Sequence, residues 1–86
     1  MSDRTHIAVV DDERDIRETV AEYLEINGYK VSKADGGPAL RRIVEQGPVH
    51  LAILDVTMPG EDGLSIARWL RGEHNAGVIM LTARDS

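Results

Sequence analysis

The 86-residue chain contains no cysteine. Disulfides, thiolate metal ligands and thiol nucleophiles are therefore excluded. Phenylalanine is also absent and aromatic residues make up only 3% of the sequence, so any core must be aliphatic. Basic residues are outnumbered, 10 Lys and Arg against 15 Asp and Glu, for a formal net charge of -5. Arg41-Arg42 is the only adjacent basic pair, and no basic stripe suited to a phosphate backbone is visible. Direct binding of nucleic acid or of an anionic membrane by this segment is not expected. No apolar run approaches the roughly 20 residues of a membrane span. The start "MSDRTH" lacks the features of a secretory signal, which makes the cytoplasm the default location.

What is present suits one small domain. Hydrophobic residues make up 42% of the chain, too many for a disordered tail. A chain of this size buries only about 60% of its unfolded surface, so its stability is marginal. Short β-rich runs alternate with helical patterns. "HIAVV" reads as a strand. From Asp12 to Asn27 the apolar residues Ile16, Val20, Tyr23 and Leu24 recur at helical spacing, and Gly28 supplies a helix stop. "YKVSKA" is a second strand. "DGGP" opens a helix with Pro38 at its first position and Leu40, Ile43 and Val44 inside, and Gly47-Pro48 closes it. "VHLAILDV" is a third strand, apolar enough to be central, and "TMPGEDG" is a loop. "LSIARWLRG" is a helix with Ile66, Ala67 and Leu70 inward, and "GVIML" is a fourth strand. This βαβαβαβ order of apolar strands and helices predicts an α/β fold, a parallel sheet covered on both faces.

Ligands of open α/β sheets bind beyond the carboxyl ends of the strands, where the strand order reverses. The first strand ends in Asp11-Asp12, the third in Asp55 and the fourth in Thr82. Asp11, Asp12 and Asp55 should therefore converge. Carboxylates so placed repel one another unless one is protonated or a cation sits among them. Hard oxygen donors suit Mg2+, and a carboxylate beside such an ion can attack phosphorus. Simpler roles compete for each residue taken singly. Asp11 or Asp12 could cap the first helix. Thr82 and Asp85 fit a capping box. The charges of the first helix read as a solvated face. His6, His50 and His74 have no partners at metal spacing and read as surface or strand-edge residues. Trp69 reads as partial core.

In combination, "IAVVDDERDIRETVAEYLEINGYKV", "LAILDVTMPGEDGLSIARWLR" and "VIMLTA" resemble the receiver domain of two-component response regulators over essentially the whole chain. The resemblance implies a flavodoxin-like, doubly wound parallel sheet of order 2-1-3-4-5. It implies Asp55 as phosphoacceptor from a sensor histidine kinase. Mg2+ would be held by Asp12, Asp55 and the carbonyl of Thr57, with Asp11 acting through water. The Thr82 hydroxyl and the N–H groups of Thr57 and Ala83 would contact the phosphoryl oxygens. Pro59 and Gly63 match the loop that shapes the pocket.

The family pattern continues beyond the match. Helix four, strand five and helix five are not in the 86 residues, nor is the lysine that pairs with the phosphate. Lys30 and Lys33 lie in the second strand and do not match it. The chain is thus expected to be an incomplete receiver of order 2-1-3-4, impaired in phosphotransfer. It would be either a fragment of a longer regulator or a chain that completes its fold with a partner. An open fourth-strand edge and an uncovered flank of the first helix would favour a homodimer. Two other functions compete: a non-catalytic assembly module, and a Mg2+-dependent phosphohydrolase with an aspartate nucleophile. The latter class places a second aspartate two residues after the nucleophile, where this chain has Thr57.

Overall fold

The computed structural model describes residues 4–55 and 63–81. Along them run β1 (His6–Val10), α1 (Arg14–Ile26), β2 (Lys30–Ala34), α2 (Gly37–Gln46), β3 (Leu51–Asp55), α3 (Gly63–Glu73) and β4 (Gly77–Leu81). The strands pair in the order β2-β1-β3-β4, all parallel. The chain first steps from β1 to β2 and later crosses back past β1 to β3. The strand order therefore reverses between β1 and β3, and this reversal positions the site. No helix among the described residues is long and apolar enough to cross a membrane.

Strand parity divides the core. Ala8 and Val10 of β1 join Ala34, Ala52 and Leu54 in one cluster with Leu40 and Val44 of α2 and Ile66 and Leu70 of α3. Ile7 and Val9 have the opposite parity and are also buried. That second face belongs to α1, since Lys33, the register partner of Val9, reaches Glu18 of α1 through a 2.9 Å ion pair. β1 is thus buried at every position, as expected of an inner parallel strand covered on both sides.

The helices of the main cluster follow their sequence pattern. Leu40 and Val44 of α2 and Ile66 and Leu70 of α3 are buried, while Ile43, Ala67 and Trp69 pack at the margin. Trp69 lies under the Arg41 guanidinium, 4.9 Å from its ring centroid, and meets the His74 ring edge-on. α1 departs from expectation. Ala21 is its buried residue, whereas Tyr23 is 66% exposed and Ile16 sits at the boundary of exposure. The small alanine lets the helix approach the sheet along one line, which leaves the flank carrying Ile16, Tyr23 and Ile26 toward solvent.

The end of α1 is built as the sequence predicts. Gly28 has φ +96°, the left-handed region. Its N–H donates to Glu25 O at 3.0 Å and the Tyr29 N–H donates to Leu24 O at 3.1 Å, which satisfies the last helical carbonyls. Gly47, which ends α2, has φ 174° and is merely extended. Neither glycine has an atom within 4 Å of where a Cβ would sit. Gly28→Ala is therefore expected to lower stability by about 1–2 kcal/mol, the cost of a left-handed L-residue, with Gly47→Ala close to neutral. Urea unfolding midpoints of the two variants test this, and equal effects would contradict it.

Candidate functional site

β1 and β3 lie side by side with Val10 paired to Leu54. Asp55 ends β3, and Asp11 follows β1 immediately, so both leave the sheet at the same edge beside the point of strand reversal. Carboxylate oxygens of Asp11, Asp12 and Asp55 all lie within 4.8 Å of one another. Asp11 and Asp55 are buried, at 5% and 7% exposure, while Asp12 is exposed. The cluster thus has two sunken carboxylates and one at its mouth. Three hard oxygen donors with no nitrogen or sulfur among them fit a cation of the Mg2+ type.

Asp11 is the most constrained of the three. Its N–H donates to Ala34 O at 3.1 Å, which prolongs the β1–β2 ladder by one residue. Its Oδ1 accepts the Glu13 N–H at 2.8 Å, and its carbonyl accepts from Arg17 Nη1 at 2.9 Å. This corrects two sequence readings. Neither Asp11 nor Asp12 caps α1: the N-cap is Glu13, whose own side chain makes no capping hydrogen bond. The Asp11 carboxylate is used in a tight turn before the helix begins. Arg17 is not part of a solvated face, because it is half-buried and reaches back to the site.

Burial raises the Asp11 carboxyl above its ordinary range by desolvating the charged form. The Glu13 N–H opposes that shift, and the charges of Asp55, Asp12 and Glu13 add to it. The physical problem posed by the sequence is therefore present in the fold: these carboxylates are packed against one another in a partly dry place.

Thr57, Thr82, Ala83 and Pro59 lie outside the described residues, as does the capping box from Thr82 to Asp85. Gly63 is buried and begins α3. Leu81, which pairs with Asp55, is the last described residue before Thr82.

The opposite end of the sheet holds a polar arrangement that the sequence reading missed. His6 is buried rather than a surface residue, at 7% exposure. Its Nδ1 lies 2.8 Å from Pro48 O, which can only accept, so Nδ1 carries a proton, and Nε2 is hydrogen-bonded with the Ser32 hydroxyl at 2.7 Å. The His6 N–H donates to His50 Nδ1 at 2.9 Å, and the His50 N–H to His6 O at 2.9 Å. These bonds lock the start of β1 to the segment leading into β3. Strand parity was the available signal, since His6 shares a face with Ala8 and Val10. Lys33 is engaged with Glu18 on the α1 face. The signal for Arg17 was its place one helical turn beyond Glu13, from which a long side chain leans back toward the N-terminus.

Residues 7–86 match the family model of the response regulator receiver domain. The chain is similar to the aerobic respiration control protein ArcA of Escherichia coli K12, with 37% identity over 81 residues, covering 94% of this chain and 34% of that protein. It thus spans about a third of the length of the curated relatives it matches. Among solved structures, the response regulator TrrA of Thermotoga maritima in complex with Mg2+-BeF aligns with a TM-score of 0.83 and 39% identity, covering 94% of this chain and 71% of that one. TrrA in complex with the histidine kinase ThkA aligns with a TM-score of 0.83 and 38% identity, covering 95% of this chain and 72% of that one.

The Asp11 shift fixes the sign of a pH effect. A carboxyl that binds its proton more tightly when folded contributes stability that is complete below its unfolded pKa and is lost as pH rises through the folded one. Asp11→Asn keeps the oxygen that accepts from Glu13 and removes the charge. In chelator-treated solution Asp11→Asn should therefore be the more stable chain at neutral pH, with the difference closing as pH falls below the carboxylate range. Urea unfolding across pH reads this directly. A less stable asparagine variant at neutral pH would contradict it.

Proposed function

The chain belongs to the response regulator receiver domain family, and from that premise we propose that Asp55 takes a phosphoryl group from the phosphohistidine of a sensor kinase. The observation that carries the reading is the convergence of Asp11, Asp12 and Asp55 at the carboxyl ends of β1 and β3. Asp55 is the member placed on a strand end, directly after Leu54, which is paired with Val10 on one side and Met80 on the other. In the transfer, an Asp55 carboxylate oxygen forms a bond to phosphorus as the donor P–N bond breaks, and that electron pair returns to the imidazole. The product is an acyl phosphate, reactive enough for a reversible switch. It brings a charge of about -1.5 to -2 to the site.

Asp12 and Asp55 are the residues that would hold Mg2+ directly, together with the Thr57 carbonyl, and Asp11 would act through a water. Bound there, the ion would offset the repulsion between an anionic donor and an anionic acceptor. The Thr82 hydroxyl and the N–H groups of Thr57 and Ala83 would receive the phosphoryl oxygens. The relationship to TrrA supports both halves of this reading, since that regulator has been captured with Mg2+-BeF and with a histidine kinase. We read the chain as one receiver unit that is an acceptor in a relay rather than a catalyst of turnover.

Self-association is a second reading, compatible with the first. It is favoured by Ile79 on β4, 47% exposed on a strand whose one described ladder partner is β3, and by Ile26 on α1, 77% exposed. Light scattering over a concentration series separates a dimer from a monomer.

Incubation with Mg2+ and acetyl phosphate tests the main reading. Intact mass should rise by one phosphoryl group in the parent chain and remain unchanged in Asp55→Ala. Labelling of Asp55→Ala to the parent level would place the acceptor elsewhere, and no labelling of the parent would remove the activity from this chain.

A further inference from the structure

The geometry points to Arg17 as the positioning residue of the acidic site: its guanidinium fixes the peptide between Asp11 and Asp12 and so directs the Asp12 carboxylate toward a cation. The inference rests on the reading that Asp12 helps to hold Mg2+.

α1 starts without the usual support. Its N-cap, Glu13, is in an extended conformation, at φ -93° and ψ 119°, and its side chain makes no capping bond to the helical N–H groups. The helix must be joined to the turn before it by something else. Side chains on a helix lean toward its N-terminus. Arg17 stands one turn into α1, where its N–H donates to Glu13 O at 3.0 Å. Its guanidinium passes back over that turn and Nη1 donates to Asp11 O at 2.9 Å, six residues earlier in the chain.

Each polar group of Asp11 has a separate holder. The bond from its N–H to Ala34 O fixes the side of the residue that faces β1. The bond from the Glu13 N–H fixes its carboxylate. Among the described residues, the bond to its carbonyl is the one from Arg17. Because the peptide unit is planar, holding that oxygen also places the nitrogen and Cα of Asp12. Among the described residues no hydrogen bond restrains the Asp12 side chain, which is exposed. Where that side chain starts is therefore set by its backbone, which the Glu13 bond holds on one side and the Arg17 bond on the other. A guanidinium suits this task. It remains charged at any working pH, and its planar fork loses little freedom when it bonds. A bond from a charged donor is also stronger than one between neutral groups.

A residue that merely stabilised α1 would affect the whole fold, whereas a positioning residue acts on the turn and on cation affinity. Two variants and two readouts separate these roles. Arg17→Met keeps the apolar stem and removes the fork, and Arg17→Lys restores a charged donor. Amide hydrogen exchange of the metal-free chain reads the turn, and calorimetric titration with MgCl2 reads affinity. In Arg17→Met the Glu13 amide should exchange faster while the Ala8, Val9 and Val10 amides keep their protection. Its Mg2+ affinity should fall by about 10- to 100-fold, the usual effect of removing a group that orients a ligand. Arg17→Lys should recover part of both. Parent-like Mg2+ affinity in Arg17→Met, or faster exchange spread evenly through β1, would overturn the inference. Failure of the parent chain to bind Mg2+ would overturn the metal reading and Arg17's role toward it together, while unchanged Glu13 exchange in Arg17→Met would overturn the positioning role alone.

Discussion

Three carboxylates brought within 4.8 Å of each other define this molecule. Their repulsion is not a local accident that a side-chain rotation could relieve. Asp55 is the last residue of β3, and Asp11 is held by the β1–β2 ladder and by its own turn. The parallel pairing of β1 with β3 places both at one sheet edge. The rest of the fold has to be stable enough to sustain that arrangement, and burial of Asp11 makes it more costly. A site of this kind gains most from whatever supplies positive charge, which is why its chemistry and its stability are linked.

The sustaining force is aliphatic packing on both faces of β1. One face of the sheet meets α2 and α3 through Leu40, Ile66 and Leu70, all almost wholly buried. The other meets α1 through Ile7, Val9 and Ala21. At the far end of the sheet, the bonds of His6 with Pro48, Ser32 and His50 secure β1 against the chain entering β3. The carboxylates thus sit at one end of a strand whose other end is locked by hydrogen bonds of two histidines.

Much of this was legible in the sequence because its signals are local. Apolar runs marked β1 and β4 at their observed limits, and Gly28 marked the left-handed end of α1. The acidic cluster was legible because a parallel sheet aligns strand ends, so Asp11, Asp12 and Asp55 could be brought together before any coordinates. What could not be read depends on tertiary placement. Helical spacing grouped Ile16 and Tyr23 with Val20 and Leu24, but the line of α1 that touches the sheet runs through Ala21. Asp11 read as a helix cap when taken singly, whereas its carboxylate closes the turn to Glu13 instead. Arg17 looked like one charge among many until the turn put the Asp11 carbonyl within its reach. His6, without a partner at metal spacing, read as a surface or strand-edge residue, although its strand parity places it with the buried Ala8 and Val10.

A cation bound among the three carboxylates would relieve their repulsion and stabilise the fold. Thermal unfolding in MgCl2, compared with NaCl at matched ionic strength, tests it most directly, because a ligand of the folded state alone raises the melting temperature with its concentration. The parent chain should gain stability steadily with Mg2+ beyond the NaCl control, and Asp55→Asn should lose most of that gain. A parent chain that melts at the same temperature in both salts would contradict the account.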